Sequence, residues 1–370
     1  MNSHLTDTHK SFLKLVRLGI GHADSAGYIV KVDWEQLKAL VDRQGLSAIV
    51  LDGIDTLQSS SSSIVQEFKS ELPLQMKLQW IGDVIQSYEG RYIAYEKAIS
   101  SLAGFYHRHG YKMMVLKGYA CSLDWTNPKH RPCGDIDIWQ FGQWKEADAC
   151  LSKEKGLKID ASHHHHTVFE WKGFPVENHY DFVNVHAHRS SRELEKIFKQ
   201  LGMDDSCYVD LNGERVYLPT ANLHALFLIK HIVSHFAAAE ITMRQVLDWA
   251  FFVEKHGKDV DWDWLLPLLE QYYMKEFFDS INGICVDDLG FDASIFPYVQ
   301  YLPELKEKVL RDILSPEYTS AEPRGLFKRL AYKYRRWQGN AWKQCLCYNE
   351  SRWSMFWTGI WAKLIKPASI

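Results

Sequence analysis

Asp135 and Asp137 stand two residues apart in the apolar run Gly134-Asp135-Ile136-Asp137-Ile138-Trp139. Side chains alternate along a β-strand, so this spacing puts both carboxylates on one face. Like charges a few ångströms apart repel, and burial adds to the cost unless a cation lies between them. A divalent ion such as Mg²⁺ removes the conflict and is commonly held by one or two carboxylates plus substrate phosphates. The pair reads as half of a metal site for phosphoryl or nucleotidyl transfer.

Anion donors lie close by in the chain. Residues 112–116, Lys-Met-Met-Val-Leu, predict a buried strand that ends at Lys117-Gly118, with a helix beginning over 119–123. A strand–Gly–helix junction offers free backbone N–H groups and the positive end of a helix dipole, which suits a phosphate. Arg131 adds a second cation, and Gly134 permits close backbone approach at the start of the Asp strand. Downstream, Glu177, His179 and Asp181 recur at every second residue, so one face of that strand carries three polar groups. Were this strand the antiparallel neighbour of the Asp strand, its polar face would meet the carboxylate pair. Glu177 and Asp181 are then rival candidates for a third carboxylate, the one that holds the metal at an attacking hydroxyl.

Several of these residues fall in one recurrent pattern: Pro128, Arg131, Asp135 and Asp137, then Val176, Glu177 and His179, then Arg244, Asp248 and Trp249. Over roughly residues 85–290 the chain resembles the polymerase-beta-type nucleotidyltransferase superfamily. More narrowly, it resembles the uncharacterised bacterial branch with Lys-Gly where other members carry Gly-Ser. The resemblance implies a metal-dependent enzyme that moves an NMP group from an NTP to a hydroxyl acceptor (small molecule, sugar or protein), with pyrophosphate release. It implies Mg²⁺ or Mn²⁺ held by Asp135, Asp137 and Glu177 as the catalytic carboxylates. Lys117, Gly118, Arg131 and Gly134 would bind the nucleotide phosphates, with His179, Asp181 and Arg244 as candidate cleft residues. The alternative is a nucleotide-binding or regulatory protein that keeps the fold without the activity.

Histidines crowd the same region, seven within residues 163–188. Consecutive strand residues face opposite sides, so the run His163 to His166 is not expected to converge on one ion. One or two of these imidazoles lining the nucleotide cleft is the expectation. His231 and His235 are four apart on a helical stretch, but Ile232 stands where a zinc protease carries Glu, so a satisfied core or interface role is expected. Arg244 and Asp248, also four apart, read as an intrahelical ion pair.

Composition bounds the rest. The 370 residues allow two or three packed units, and 46% hydrophobic content with 14 tryptophans supports a sizeable core. A net charge of −3 gives no global pull toward nucleic acid, so a nucleic-acid acceptor is disfavoured. Seven cysteines without a CxxC pair argue against a disulfide framework or zinc ribbon. With no apolar run of eighteen residues and no signal-peptide core at the N-terminus, a cytoplasmic protein is expected.

The elements that must position these residues follow from periodicity. Residues 1–108 read as a helical region, with one long helix over 67–107 that is broken once and a serine-rich break at 59–63. Residues 109–218 read as an α+β core with hairpins at Lys172-Gly173 and Asn212-Gly213. Residues 219–322 read as a helical domain. The fold class is therefore α+β, a small mixed β-sheet flanked by N-terminal and C-terminal helical regions. Residues 323–370 form a tail with ten Lys or Arg against one acidic residue, interleaved with five tryptophans. Such a tail suits core packing with a solvated basic face, or peripheral contact with an anionic membrane.

Overall fold

The computed structural model describes residues 5–22, 32–59, 72–297, 300–319, 323–351, 353 and 357. Six strands form one mixed sheet in the order β3-β4-β2-β1-β6-β5. They are β1 (Met114–Val115), β2 (Ile136–Trp139), β3 (His166–Trp171), β4 (Phe174–His179), β5 (Tyr208–Leu211) and β6 (Glu214–Tyr217). Both predicted hairpins are present, with Lys172 and Asn212 at φ of 49° and 54°. The pairing of β2 with β4 is parallel, not antiparallel as the sequence suggested, and it sets Asp137 directly beside Glu177. The reason lies in β3, which is the hairpin partner of β4 and takes its other edge.

Alternation along the strands divides the sheet into an apolar and a polar face. Ile136, Ile138, Val176 and Val115 point into a core formed with helices α5 (Arg91–Arg108) and α7 (Trp144–Lys155). Tyr95, Ile99, Leu102 and Phe105 are the α5 side of that core. Asp135, Asp137, Glu177 and His179 occupy the opposite face by the same period-2 rule.

That face is closed over by helices. The N-terminal region supplies α1 (Asp7–Gly19), α2 (Trp34–Gln44), α3 (Ser47–Ser59) and α4 (Leu74–Val84). The long helix expected over 67–107 with one break is, from Leu74 on, α4 and α5 with a π-helical stretch, Ile85–Gly90, as the interruption. Helical spacing predicts an apolar stripe of Leu78, Ile81, Val84, Ile85, Tyr88 and Tyr92, which is only half right, since Val84 and Tyr92 are buried while Leu78 and Ile85 are exposed. The extra residue in a π turn rotates the register of everything before it. The expected serine break at 60–63 lies outside the described residues, and Ser59 closes α3.

Beyond α6 (Tyr119–Ser122) and α8 (Arg189–Leu201), the C-terminal half is helical: α9 (Ala221–Ala238), α10 (Met243–His256), α11 (Trp262–Gln271), α12 (Lys275–Gly283) and α13 (Pro303–Leu314). The tail contributes α14 (Leu326–Gly339) and α15 (Ala341–Cys347). α15 packs on α9, and Lys343 is buried, donating to the Ala239 carbonyl at 2.8 Å and paired with Asp312. α14 has no buried residue. No helix among the described residues is long and apolar enough to cross a membrane.

Candidate functional site

The sheet's polar face and helix α9 enclose two adjoining cavities that share Lys117, Asp135, His231 and His235 as common wall. The smaller, of about 270 Å³, also holds Gly118, Arg131, Gly134, Asp137 and Arg244. The larger, of about 430 Å³, holds Glu177, His165, His166 and His179 and reaches Lys230 and Tyr348. Sequence reasoning placed His231 and His235 in a satisfied core or interface. Their four-residue spacing on α9 instead aims both at the site, and burial holds both neutral, His235 down to about 4.

Asp137 is the centre of charge. Its side chain is 1% exposed, and its Oδ1 contacts Lys117 Nζ at 2.9 Å and His179 Nε2 at 3.1 Å. Its other oxygen, Oδ2, is buried without a hydrogen-bond partner. Burial opposes ionisation of Asp137, but Lys117 and His179 outweigh it and hold the carboxyl far below the ordinary range. Glu177 behaves in the opposite way: burial and then the charge of Asp137 push it up to about 8. Asp135 is raised by the same two causes. The carboxylate repulsion expected from sequence is present, and the lysine ammonium partly compensates it.

Ligand atoms of Asp137, Glu177 and His179 all lie within 4.8 Å of one another. The unpartnered Asp137 Oδ2 fits a cation, since an oxygen acceptor buried without a donor is costly. His179 stands between two acceptors, with Nε2 3.1 Å from Asp137 Oδ1 and Nδ1 3.2 Å from the Asp181 carbonyl oxygen. Asp135 stands at the cavity wall and is not part of this close group. Asp181 lies on neither cavity; its side chain pairs with Lys199 because β4 ends at His179 and the period-2 rule stops there.

Two arginines take roles the sequence did not separate. Arg131 is locked to Asp248 of α10 through Nε–Oδ1 at 2.7 Å and Nη2–Oδ2 at 2.9 Å, and Trp125 Nε1 donates to the same carboxylate at 2.9 Å. The predicted Arg244–Asp248 pair is therefore absent, because Asp248 is already filled by a residue far away in the chain. Arg244 makes no hydrogen bond or ion pair among the described residues. Burial, then the charge of Arg131, lower its pKa, and the nearby carboxylates of Asp248 and Asp135 only partly offset them. It lines the smaller cavity opposite Lys117 and Gly118.

Gly118 has φ 62°, and a Cβ there would meet Tyr95 Oη at 2.5 Å, so only glycine fits. Tyr95 Oη in turn donates to the Asp135 carbonyl at 2.7 Å, tying the turn to the carboxylate strand. The helix after Gly118, α6, is a single turn, so its dipole is far smaller than the sequence suggested. Gly134 is not a site of close approach: a Cβ there would meet nothing within 4 Å, and it borders open cavity.

Two imidazoles of the histidine run, His165 and His166, line the larger cavity, in keeping with one or two being expected at the cleft, but these neighbours in sequence share a side where alternation would separate them. His166 pairs across the β3–β4 ladder with His179 and so shares its face. His165 precedes the strand in a bend, and its carbonyl accepts from the N–H groups of both Tyr180 and Asp181, at 3.0 and 3.1 Å. Strand alternation therefore does not govern it, and its ring turns toward His166 and His179. Burial, then the neighbouring His179, lower His165 to about 2 and His166 to about 3.

The mixed sheet flanked by helices fits a nucleotidyltransferase fold, and its polar face carries this carboxylate set beside the cavity that Arg244 lines. The chain belongs to the uncharacterised nucleotidyltransferase family, whose sequence model matches residues 30–287. No curated protein matches it. Among solved structures it is similar to an antigenic nucleotidyltransferase-like protein from Paracoccidioides brasiliensis, at 14% identity over 43% of this chain and 75% of that one, with a TM-score of 0.31.

Proposed function

We propose that this chain transfers a nucleoside monophosphate from an NTP to a hydroxyl acceptor. The observation that carries the reading is the close grouping of Asp137, Glu177 and His179, whose ligand atoms lie within 4.8 Å of one another, with Asp137 Oδ2 buried and without a hydrogen-bond partner among the described residues. A bound Mg²⁺ or Mn²⁺ would neutralise phosphate charge and lower the pKa of the acceptor hydroxyl. Asp135 and Asp137, with Glu177, would hold that ion. Lys117 and Arg244 face the smaller cavity and would take the triphosphate, Lys117 turning from Asp137 toward phosphate oxygen as the cation enters. Arg131 would position rather than bind, since both edges of its fork are occupied by Asp248. Glu177 borders the larger cavity, which would admit the acceptor.

The acceptor oxygen forms a bond to the α-phosphorus, the bond from that phosphorus to the bridging oxygen breaks, and pyrophosphate departs with that electron pair. The acceptor's proton is lost to solvent or a cavity base. Fixed cations at the developing charge are how such transfers are accelerated. The net charge of −3 favours a small molecule, sugar or protein over a long nucleic acid.

A second reading, a nucleotide-binding protein without transfer, is favoured by the Lys117–Asp137 contact, which can stand in for a metal. Incubation of the full chain with each α-labelled NTP, Mg²⁺ or Mn²⁺, and fractionated cell extract separates the two. Transfer predicts a labelled product and pyrophosphate, both lost in Glu177→Gln. Nucleotide binding with no labelled product in any fraction supports the second reading.

A further inference from the structure

The larger cavity carries two imidazoles the transfer reaction does not use, His165 and His166, beside His179, which it shares with the carboxylate group. His165, His166 and His179 each offer a ring nitrogen, and the three lie within 4.8 Å of one another. Their rings are not stacked flat: centroids are 4.4 Å apart for His165–His166, 5.5 Å for His165–His179 and 5.4 Å for His166–His179, with interplanar angles of 85°, 49° and 54°. The Nδ1 atoms of His165 and His166 are both buried and without a hydrogen-bond partner. Glu177 Oε2 lies 3.8 Å from both His166 Nδ1 and His179 Nε2. Two orphaned imidazole nitrogens beside a third, with a carboxylate oxygen between, leave a gap bounded by lone pairs.

We propose that His165, His166 and His179 bind an imidazole-preferring divalent transition-metal ion of the zinc class, with Glu177 adjoining. Imidazole suits Zn²⁺, Co²⁺, Ni²⁺ and Fe²⁺, whereas Mg²⁺ demands oxygen ligands and retains its waters. Zinc–nitrogen bonds of about 2.0 Å place tetrahedral ligands about 3.3 Å apart, so the trio closes with small side-chain rotations. The backbone holds the trio in advance, His166 by the ladder partner position and His165 by its doubly accepting carbonyl. With an ion on Nε2, the His179 proton would sit on Nδ1, which faces the Asp181 carbonyl oxygen at 3.2 Å. The site does not rest on nucleotidyl transfer, since a protein that only binds nucleotide would present the same three rings.

The test uses the full chain stripped of metal and titrated with Co²⁺ and then Zn²⁺, without nucleotide. One equivalent of Co²⁺ is expected, with visible bands of a low-coordinate ion and X-ray absorption showing three imidazole ligands. In His165→Ala/His166→Ala the Co²⁺ affinity should fall at least tenfold, while Asp137→Asn should keep the bound equivalent and its spectrum. No Co²⁺ binding by the wild-type chain, or fewer than two imidazoles in its absorption spectrum, overturns the proposal without any variant. Unchanged affinity in the double variant with loss in Asp137→Asn also overturns it, placing the ion on the carboxylates and leaving the transfer reading standing.

Discussion

At the scale of single residues, two carboxylates side by side in the sheet serve opposite electrostatic roles. Asp137 is the partner on which Lys117 and His179 depend, whereas Glu177 is the carboxyl that ionises with difficulty. Asp137→Asn should therefore abolish transfer and also destabilise the metal-free protein. Breaking a buried pair by removing one partner typically costs about 3–5 kcal/mol, and the Lys117 side chain, 19% exposed, places this case toward the low end. Glu177→Gln should abolish transfer with denaturation unchanged near neutral pH, because a carboxyl raised to about 8 is already mostly protonated there and the amide replaces one neutral group with another. Urea melts of the two variants check the contrast, and equal stability losses would contradict it. Arg244→Gln should weaken nucleotide binding about tenfold, the loss of one charge-assisted contact. Because Arg244 has no partner to strand, its melt should not move downward.

At the scale of elements, α10 is fixed to the segment leading into β2 by one buried ion pair, Arg131–Asp248. Asp248→Asn leaves the Arg131 guanidinium buried against a neutral amide and should cost about 3–5 kcal/mol. Burial disfavours the Asp248 charge, but Arg131 outweighs it, so the folded pKa lies below 3.8. A depressed carboxylate contributes stability that is present above pH 3.8 and lost as pH falls through the folded value. Acid titration followed by circular dichroism should show the wild-type chain losing stability there and Asp248→Asn losing less. Sequence pattern did well where one period rules an element. Asp135 and Asp137 share a face, as do Glu177 and His179, and Asn212-Gly213 turns its hairpin. It did less well where long-range pairing decides. Arg131 took Asp248 from Arg244 across 117 residues, β4 joined β2 in parallel, and a bend before β3 gathered histidines that alternation would have scattered.

At the scale of the molecule, the basic tail divides into a packed and an exposed part. Tyr348 stacks on His188 with centroids 3.7 Å apart, accepts from Lys230 at 3.2 Å, and walls the larger cavity. Ending the chain at residue 321 should therefore open that cavity, strand the buried Lys230 and Asp312, and produce aggregation on expression, read by size-exclusion chromatography. α14 is different: Leu326, Phe327 and Leu330 are exposed beside Lys328, Arg329 and Lys333. That pattern suits an anionic bilayer, so the chain should sediment with acidic vesicles at low salt. Because such attraction is screened within about 10 Å at 0.1 M salt, sedimentation should fall steeply at high salt, and Phe327→Glu/Leu330→Glu should abolish it without altering nucleotide binding.

The most direct measurement of the central claim compares α-labelled with γ-labelled NTP in the wild-type chain and in Asp137→Asn, with Mg²⁺ or Mn²⁺ and an acceptor-containing fraction. Attack at the α-phosphorus beside the Asp137–Glu177 pair predicts label in the acceptor from the α-position alone, γ-label recovered as pyrophosphate, and neither from Asp137→Asn. Label entering the acceptor from the γ-position, or transfer undiminished in Asp137→Asn, would contradict it.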